Sequence, residues 1–397
     1  MSKFLENNNS LPGSFYLVSA ASFLFEISRH ITQPIFTLYI LEMGASMIQV
    51  GVILSVQSIL MMAMRIPLAI VSNRVGHYRM FLVAFFIQAT APILYAISPS
   101  PSWLYVIPLY QVVASGSFNQ LTMSSVSNMA PATRQGDAIG RYMTFMSMGM
   151  FVGPLIAGGL VNQLGYRRLF MVASIFPVIG LMAFLKAKTK EMKLPSPKVK
   201  TVKDDLGTLV TLKAILRNRN VLILTFIRTS YAMSNTVFMS LYAVFAVQDL
   251  GFTPSLAALL FSVVGFSNAV IRFPAGRRAD TFGPKKVLLI AFSTLIIVYI
   301  SISYAKDIAP IFILLVLFGA CWGTRAVTEW STLTNSVTQE TKTISISYLG
   351  SIWGVGATLG SFMVGGMGEV FPFSTIFLIL ALINLPALPA IYFMNET

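Results

Sequence analysis

Glu26, Arg29 and His30 lie within about one helical turn of each other inside the apolar stretch 14 to 42, and Arg325 and Glu329 lie four residues apart inside 309 to 336. A charge inside a bilayer costs about 2.5 to 3.5 kcal/mol on insertion scales, so it is retained for pairing or for function. Spacings of three and four put Glu26 beside Arg29 or His30, and Arg325 beside Glu329, on one face of a helix. A glutamate held this way can load and release a proton. An arginine can bind an anionic group or only neutralise the acid. Glu26, near the middle of its stretch, reads as a titrating group, whereas Arg325 and Glu329 read equally as a brace. His30 alone is more often a packing residue than a site.

Around these groups, polar side chains recur at helical steps. One stripe is Ser19, Ser22, Glu26, Arg29, Gln33 and Thr37; a second is Gln111, Ser115, Asn119 and Thr122. A third is Arg228, Tyr231, Asn235 and Tyr242, and a fourth Trp322, Arg325, Glu329, Thr332 and Ser336. Trp330 and Trp353 add aromatic surface.

Only helices that cross a membrane can carry such stripes in this chain. It is 55% hydrophobic and 11% charged, with a mean hydropathy of +0.75, far from the soluble average of about 25% charged. A spanning helix needs about 20 mainly apolar residues. Six such segments lie near 14–42, 46–72, 78–97, 102–127, 138–163 and 166–186, and six more near 219–249, 253–275, 285–305, 309–336, 343–368 and 373–394. The expectation is an all-α membrane protein of twelve transmembrane helices. The stripes fall on spans one, four, seven and ten, while spans three, six, nine and twelve have no ionisable interior and suit lipid contact.

The two sets of six are copies. At an offset of 207 positions, Arg65 falls on Arg272, Pro67 on Pro274, Gly76 on Gly283 and Arg79 on Lys286. Gly44 falls on Gly251, and Gly149, Gly153, Gly158 and Gly159 fall on Gly356, Gly360, Gly365 and Gly366. One constant offset marks an internal duplication with a half-domain as its unit. Six is even, so both halves begin on the same side and are related in parallel about an axis along the membrane normal. The expected organisation is a tail at 1–13, a first half at 14–186, a linker at 187–218 and a second half at 219–397.

The formal charge of +14 belongs to loops rather than to a nucleic-acid face. Lys186 to Arg219 carries ten Lys or Arg, whereas the alternate loops hold Arg167, Arg168 and Lys306. Basic residues stay inside, so both termini are expected in the cytoplasm and the protein in the plasma membrane. No cleaved signal is read in the first 13 residues. Within the linker, Leu206, Leu209, Val210 and Leu216 form one apolar face suited to an interfacial helix. One cysteine, Cys321, excludes an internal disulfide framework, and with two histidines no metal cluster or phosphate loop emerges. No enzyme chemistry and no cofactor are expected.

Between spans eight and nine, Gly276, Asp280, Thr281, Gly283, Lys285 and Lys286 resemble the signature loop of the major facilitator superfamily. The earlier copy keeps Arg74, Gly76 and Arg79 but has Ala69 for the first glycine and Asn73 for the acid. Glycines permit the tight turn, and an acid with several bases supplies contacts that form and break, as a conformational latch requires. The span-five run Gly149, Gly153-Pro154 and Ala157-Gly158 resembles the superfamily's antiporter motif, with Gly356, Gly360 and Gly365 repeating its small-residue packing pattern. Span four has Leu109-Tyr110-Gln111 where drug antiporters of that family carry an arginine.

The resemblance implies two six-helix halves rocking about a central site lined by the first, fourth, seventh and tenth helices. The reading that follows is a monomeric, proton-coupled secondary transporter of a small organic anion or amphipathic drug-like solute. An uncoupled facilitator, or a non-transporting sensor that docks a partner on the basic linker, are the alternatives.

Overall fold

The computed structural model describes residues 11–129, 135–187, 217–338 and 341–395, nearly all of them helical. The first copy contains α1 (Gly13–Glu42), α2 (Met47–Ala63), α3 (Arg65–Val75), α4 (His77–Ile97), a short 3-10 turn (Pro101–Tyr105), α5 (Ile107–Met129) and α6 (Gln135–Ala187). The second contains α7 (Arg219–Gln248), α8 (Pro254–Phe282), α9 (Pro284–Ile302), α10 (Ile308–Ser336), α11 (Lys342–Val370), α12 (Phe373–Asn384) and α13 (Ala387–Tyr392). Helices are what a lipid environment demands, because every backbone N–H and C=O must be satisfied within the segment. Among the described residues, seven helices are long and apolar enough to cross a membrane.

Local chemistry explains where helices depart from a plain span. The expected spans five and six are the two helices that make up α6, and they join at Gly165, whose backbone is non-helical with φ of 71° and ψ of 171°. Span two is broken at Met64 into α2 and α3. Span twelve is broken between Asn384 and Ala387, where Pro386 has no N–H to continue the ladder. Gly76 and Gly283, equivalent under the duplication, hold φ of 93° and 84° between α3 and α4 and between α8 and α9. A side chain disfavours that backbone, so these turns need glycine.

Contacts divide the chain into two compact units, residues 1–33 with 63–199 and residues 34–62 with 200–397. The division enters α1 at Pro34 and gives α2 to the unit built mainly from the second copy. Small residues supply the reason. A Cβ on Gly51 of α2 would lie 2.4 Å from the Gly365 backbone of α11, so only glycine allows that approach. About one turn before Gly365, Ser361 sets its hydroxyl 3.0 Å from that of Ser58.

The first unit is filled by aromatic rings: Phe25 stacks on Phe118 at 3.6 Å between centroids, and Phe81, Phe85 and Phe184 surround them. In the second unit α8 packs on α10 and α7 on α11, with Phe238 of α7 against Phe318 of α10 at 4.3 Å.

The duplicated glycines set the α7–α11 spacing. A Cβ on Gly360 would lie 2.4 Å from the carbonyl oxygen of Met233, and one on Gly356 would lie 2.5 Å from that of Thr229. Backbone cannot yield as a side chain can. Gly360→Ala is therefore expected to destabilise the protein by about 1–3 kcal/mol. Gly366→Ala, whose added Cβ meets nothing within 4 Å, is expected to stay within about 0.5 kcal/mol of the parent. Thermal unfolding of the two variants in detergent checks the pair, and equal unfolding temperatures would refute the packing argument.

Candidate functional site

Among the described residues, each unit holds one cluster of buried charge. In the first, α1 sets Glu26 at 2% exposure, with one carboxylate oxygen 3.7 Å from an Arg29 Nη and 3.5 Å from His30 Nδ1. His30 Nδ1 also lies 3.2 Å from the Glu26 carbonyl oxygen, which ties the ring to the helix. The second carboxylate oxygen, Oε1, is buried with no hydrogen-bond partner among the described residues. This acid is thus loosely paired. Arg29 is more than one-third exposed and can leave it.

The α6 glycines press directly on this turn. A Cβ on Gly149 would come within 2.7 Å of Glu26 Cβ, and one on Gly153 within 2.7 Å of His30 Cβ. Gly158 is buried one to two turns further along. Tyr142, also on α6 and fully buried, lies within electrostatic reach of Glu26. Gln33 is half-buried one turn beyond Arg29. Gln111 accepts a hydrogen bond from the Tyr95 hydroxyl at 2.8 Å, which commits it to packing within its own unit.

The second cluster is tighter. Glu329 of α10 is completely buried between two arginines: Arg228 of α7, whose Nη1 donates to Oε2 at 2.9 Å, and Arg325 one turn earlier on α10. Both guanidinium groups face aromatic rings. Arg325 lies 3.8 Å over Tyr231 and 5.6 Å from Trp353, and Arg228 lies 4.7 Å over Trp330 and 5.9 Å from Trp353. Rings accept a cation's field through their faces, so the cage holds positive charge where water is scarce. The Tyr231 hydroxyl donates to Asn235 at 3.3 Å. Arg272 of α8, half-buried and donating to Asn268 Oδ1 at 3.1 Å, adds its charge to the field at Arg325. One carboxylate therefore faces two arginines, with the charge of a third, Arg272, close to Arg325. Trp322 is half-buried on the same helix as Arg325.

Spacing foretold the contact of Arg325 with Glu329 and of Glu26 with its neighbours. It did not reveal the α7-to-α10 bridge through Arg228, the convergence of Arg272, or Tyr142. The available signal for the bridge was the placement of Arg228, Tyr231 and Asn235 on one helical face, which called for a counter-charge without locating it. The duplication adds that the clusters are not equivalents: 207 positions on from Glu26 stands Met233, and 207 back from Glu329 stands Thr122.

At the motif between α8 and α9, Lys285 Nζ lies 4.9 Å over the Tyr392 ring, and Lys286 is exposed. A Cβ on Gly276 would make ordinary contact with Val327 at 3.4 Å. In the earlier copy Arg74 and Arg79 are exposed. The side chains of Asn73, Asn119 and Asp280 lie outside the described residues, as do most of the tail and residues 188–216 of the linker with its expected interfacial helix.

A family model described as the Major Facilitator Superfamily matches residues 18–341 and 224–397. An uncharacterized MFS-type transporter of Methanocaldococcus jannaschii is 20% identical over 257 residues, 64% of this chain and 66% of its own length, so the match spans just under two thirds of that relative. The multidrug resistance protein MdtG of Salmonella typhimurium is 22% identical over 280 residues, covering 70% of this chain and 69% of its own. The multi-drug resistance efflux pump PmrA of Streptococcus pneumoniae is 24% identical over 306 residues and 75% of each chain. Among solved structures, the nucleoside transporter NupG superposes with a TM-score of 0.77 at 14% identity, over 97% of this chain and 100% of its own. A bacterial homolog of the human lysosomal transporter Spinster, inward-facing and unoccupied, superposes with a TM-score of 0.75 at 16% identity, over 96% and 94%. At these identities the structures share the fold.

Proposed function

Because the chain belongs to the Major Facilitator Superfamily, we propose that it carries a small organic anion with a flat ring across the plasma membrane by alternating access, coupled to protons at Glu26. The observation that carries the substrate class is the charge imbalance on the second unit: Arg228, Arg325 and Arg272 against Glu329, beside Tyr231, Trp330 and Trp353. Glu329 neutralises one of these arginines. An anionic ligand would neutralise another, with hydrogen bonds to a guanidinium worth about 1.5–3 kcal/mol and stacking from the rings.

The unpartnered oxygen of Glu26 supports the proton role. A carboxyl that gains a proton there loses its hold on Arg29, whose long side chain then moves freely, and a group with two arrangements is what coupling needs. In this reading both termini face the cytoplasm, the chain works as a monomer, and the motif around Asp280 latches the cytoplasmic ends.

A second reading takes its support from the multidrug names of MdtG and PmrA: export of amphipathic drugs. Equilibrative transport without protons and a partner-binding sensor are further outcomes, separated from coupled transport by accumulation assays and by deletion within the 187–218 linker. The deciding experiment is tryptophan fluorescence of the purified protein, titrated with aromatic carboxylates and phosphates, with neutral sugars and with cationic drugs. Saturable quenching by the planar anions, weakened about 10- to 100-fold in Arg325→Gln, is expected. Saturation by cationic drugs alone, indifferent to Arg325, would transfer the assignment to the second reading.

A further inference from the structure

Beside the second charge cluster, the second unit has a crevice of about 230 Å³ formed by α8, α9 and α10. Its walls are mostly apolar, with Ile271 and Ala275 from α8, Ile290 and Ala291 from α9, and Leu317 and Ala320 from α10. Among the described residues, Arg278 of α8 is the one charged group in its lining. The volume falls below the roughly 300–1,000 Å³ of sites for drug-sized ligands, and the shape follows one side of α9, where Val287, Ile290, Ala291 and Thr294 line it at steps of three and four.

The surface around the crevice is a lipid-facing one. Ile290 is 67% exposed, and Ile297 and Ile313 are 59% and 57% exposed along the same helices. A side of this kind on a spanning helix meets acyl chains. At the end of the crevice by the α8–α9 turn, charge replaces hydrocarbon: Arg278 is exposed, and so is Lys286, one turn before Ile290 on α9. Basic groups at the rim of an apolar slot between spanning helices select anionic headgroups, which the cytoplasmic leaflet supplies.

We propose that this crevice is a binding site for an anionic phospholipid, with one acyl chain lying along α9 and the headgroup held by Arg278. Because the same crevice is lined by Cys321 and Thr324 of α10, one turn or less from Arg325, an occupied crevice fixes the helix that carries the second charge cluster. Lipid binding then supports the protein from a position separate from its central site.

The experiment is native mass spectrometry and thermal unfolding of the purified full-length chain, with phosphatidylglycerol or phosphatidylcholine added to the detergent. Three variants accompany the parent. Arg278→Gln removes the headgroup contact, Thr294→Leu narrows the slot with a larger apolar side chain, and Lys306→Gln removes a basic residue from the α9–α10 loop. The expected result is a saturable phosphatidylglycerol adduct that raises the unfolding temperature and binds at least about tenfold more tightly than phosphatidylcholine. That preference should vanish in Arg278→Gln, weaken in Thr294→Leu and persist in Lys306→Gln. Equal binding of the two lipids by the parent, or undiminished preference in Arg278→Gln, would overturn the proposal. So would full competition by glycerol phosphate, which has the headgroup chemistry without the acyl chain.

Discussion

Replacing Glu329 with Gln is expected to lower stability by about 3–5 kcal/mol, the cost of removing one partner from a buried ion pair. Arg228 and Arg325 are 7% and 3% exposed, and the carboxylate between them is their shared counter-charge. Glutamine keeps the shape and can still accept a hydrogen bond, but it cannot offset either guanidinium. The aromatic faces of Tyr231, Trp330 and Trp353 recover only part of the loss, since a cation–π contact is worth about 0.5–2 kcal/mol. Thermal unfolding in detergent measures the effect. The double variant Glu329→Gln with Arg325→Gln leaves a single buried charge, so it should be more stable than Glu329→Gln alone, against simple additivity. Unfolding of Glu329→Gln at the parental temperature would mean that the three side chains do not form a buried ion cluster.

Glu26→Gln is expected to abolish concentration of the solute against its gradient while leaving exchange of solute for solute in place. A difference of one pH unit is worth about 1.4 kcal/mol per proton, enough for about tenfold accumulation with one proton coupled. Glutamine is nearly isosteric, so the close contact of Gly149 with the Glu26 Cβ survives, and the protein should fold. It has no proton to carry. In proteoliposomes with an imposed pH gradient, the parent should approach the tenfold value and the variant should stop near one. Gradient-driven accumulation by the variant would remove Glu26 from the coupling role and favour a facilitator, or a carrier coupled elsewhere.

The contrast between these two glutamates shows what could be read in advance. Both occupy apolar helices with a basic residue three or four positions away, so spacing assigned them the same chemistry. Structure separates them. Glu329 gains a second arginine from another helix, whereas Glu26 keeps an oxygen with no hydrogen-bond partner among the described residues and an arginine that is partly exposed. The difference lies in which helix packs beside each, a contact between residues about a hundred positions apart in the case of Arg228 and Glu329.

The sequence by itself determined the helices, the duplication and the class. Hydrophobic runs of bilayer length admit one kind of backbone in lipid, and a constant offset of 207 positions displays two related halves without any coordinates. It also placed the turns, because Gly76 and Gly283 stand where a positive φ is required. Tertiary structure alone decided that residues 34–62 pack with the second copy, since that grouping rests on the meeting of Gly51 with Gly365 more than three hundred positions away. It also decided that Arg228 and Arg325 meet on one acid, and that a slot with a basic rim opens between α8, α9 and α10. Helical periodicity fixes which side chains share a face of one helix. Which faces meet depends on packing between helices distant in the chain, and no local pattern carries that information.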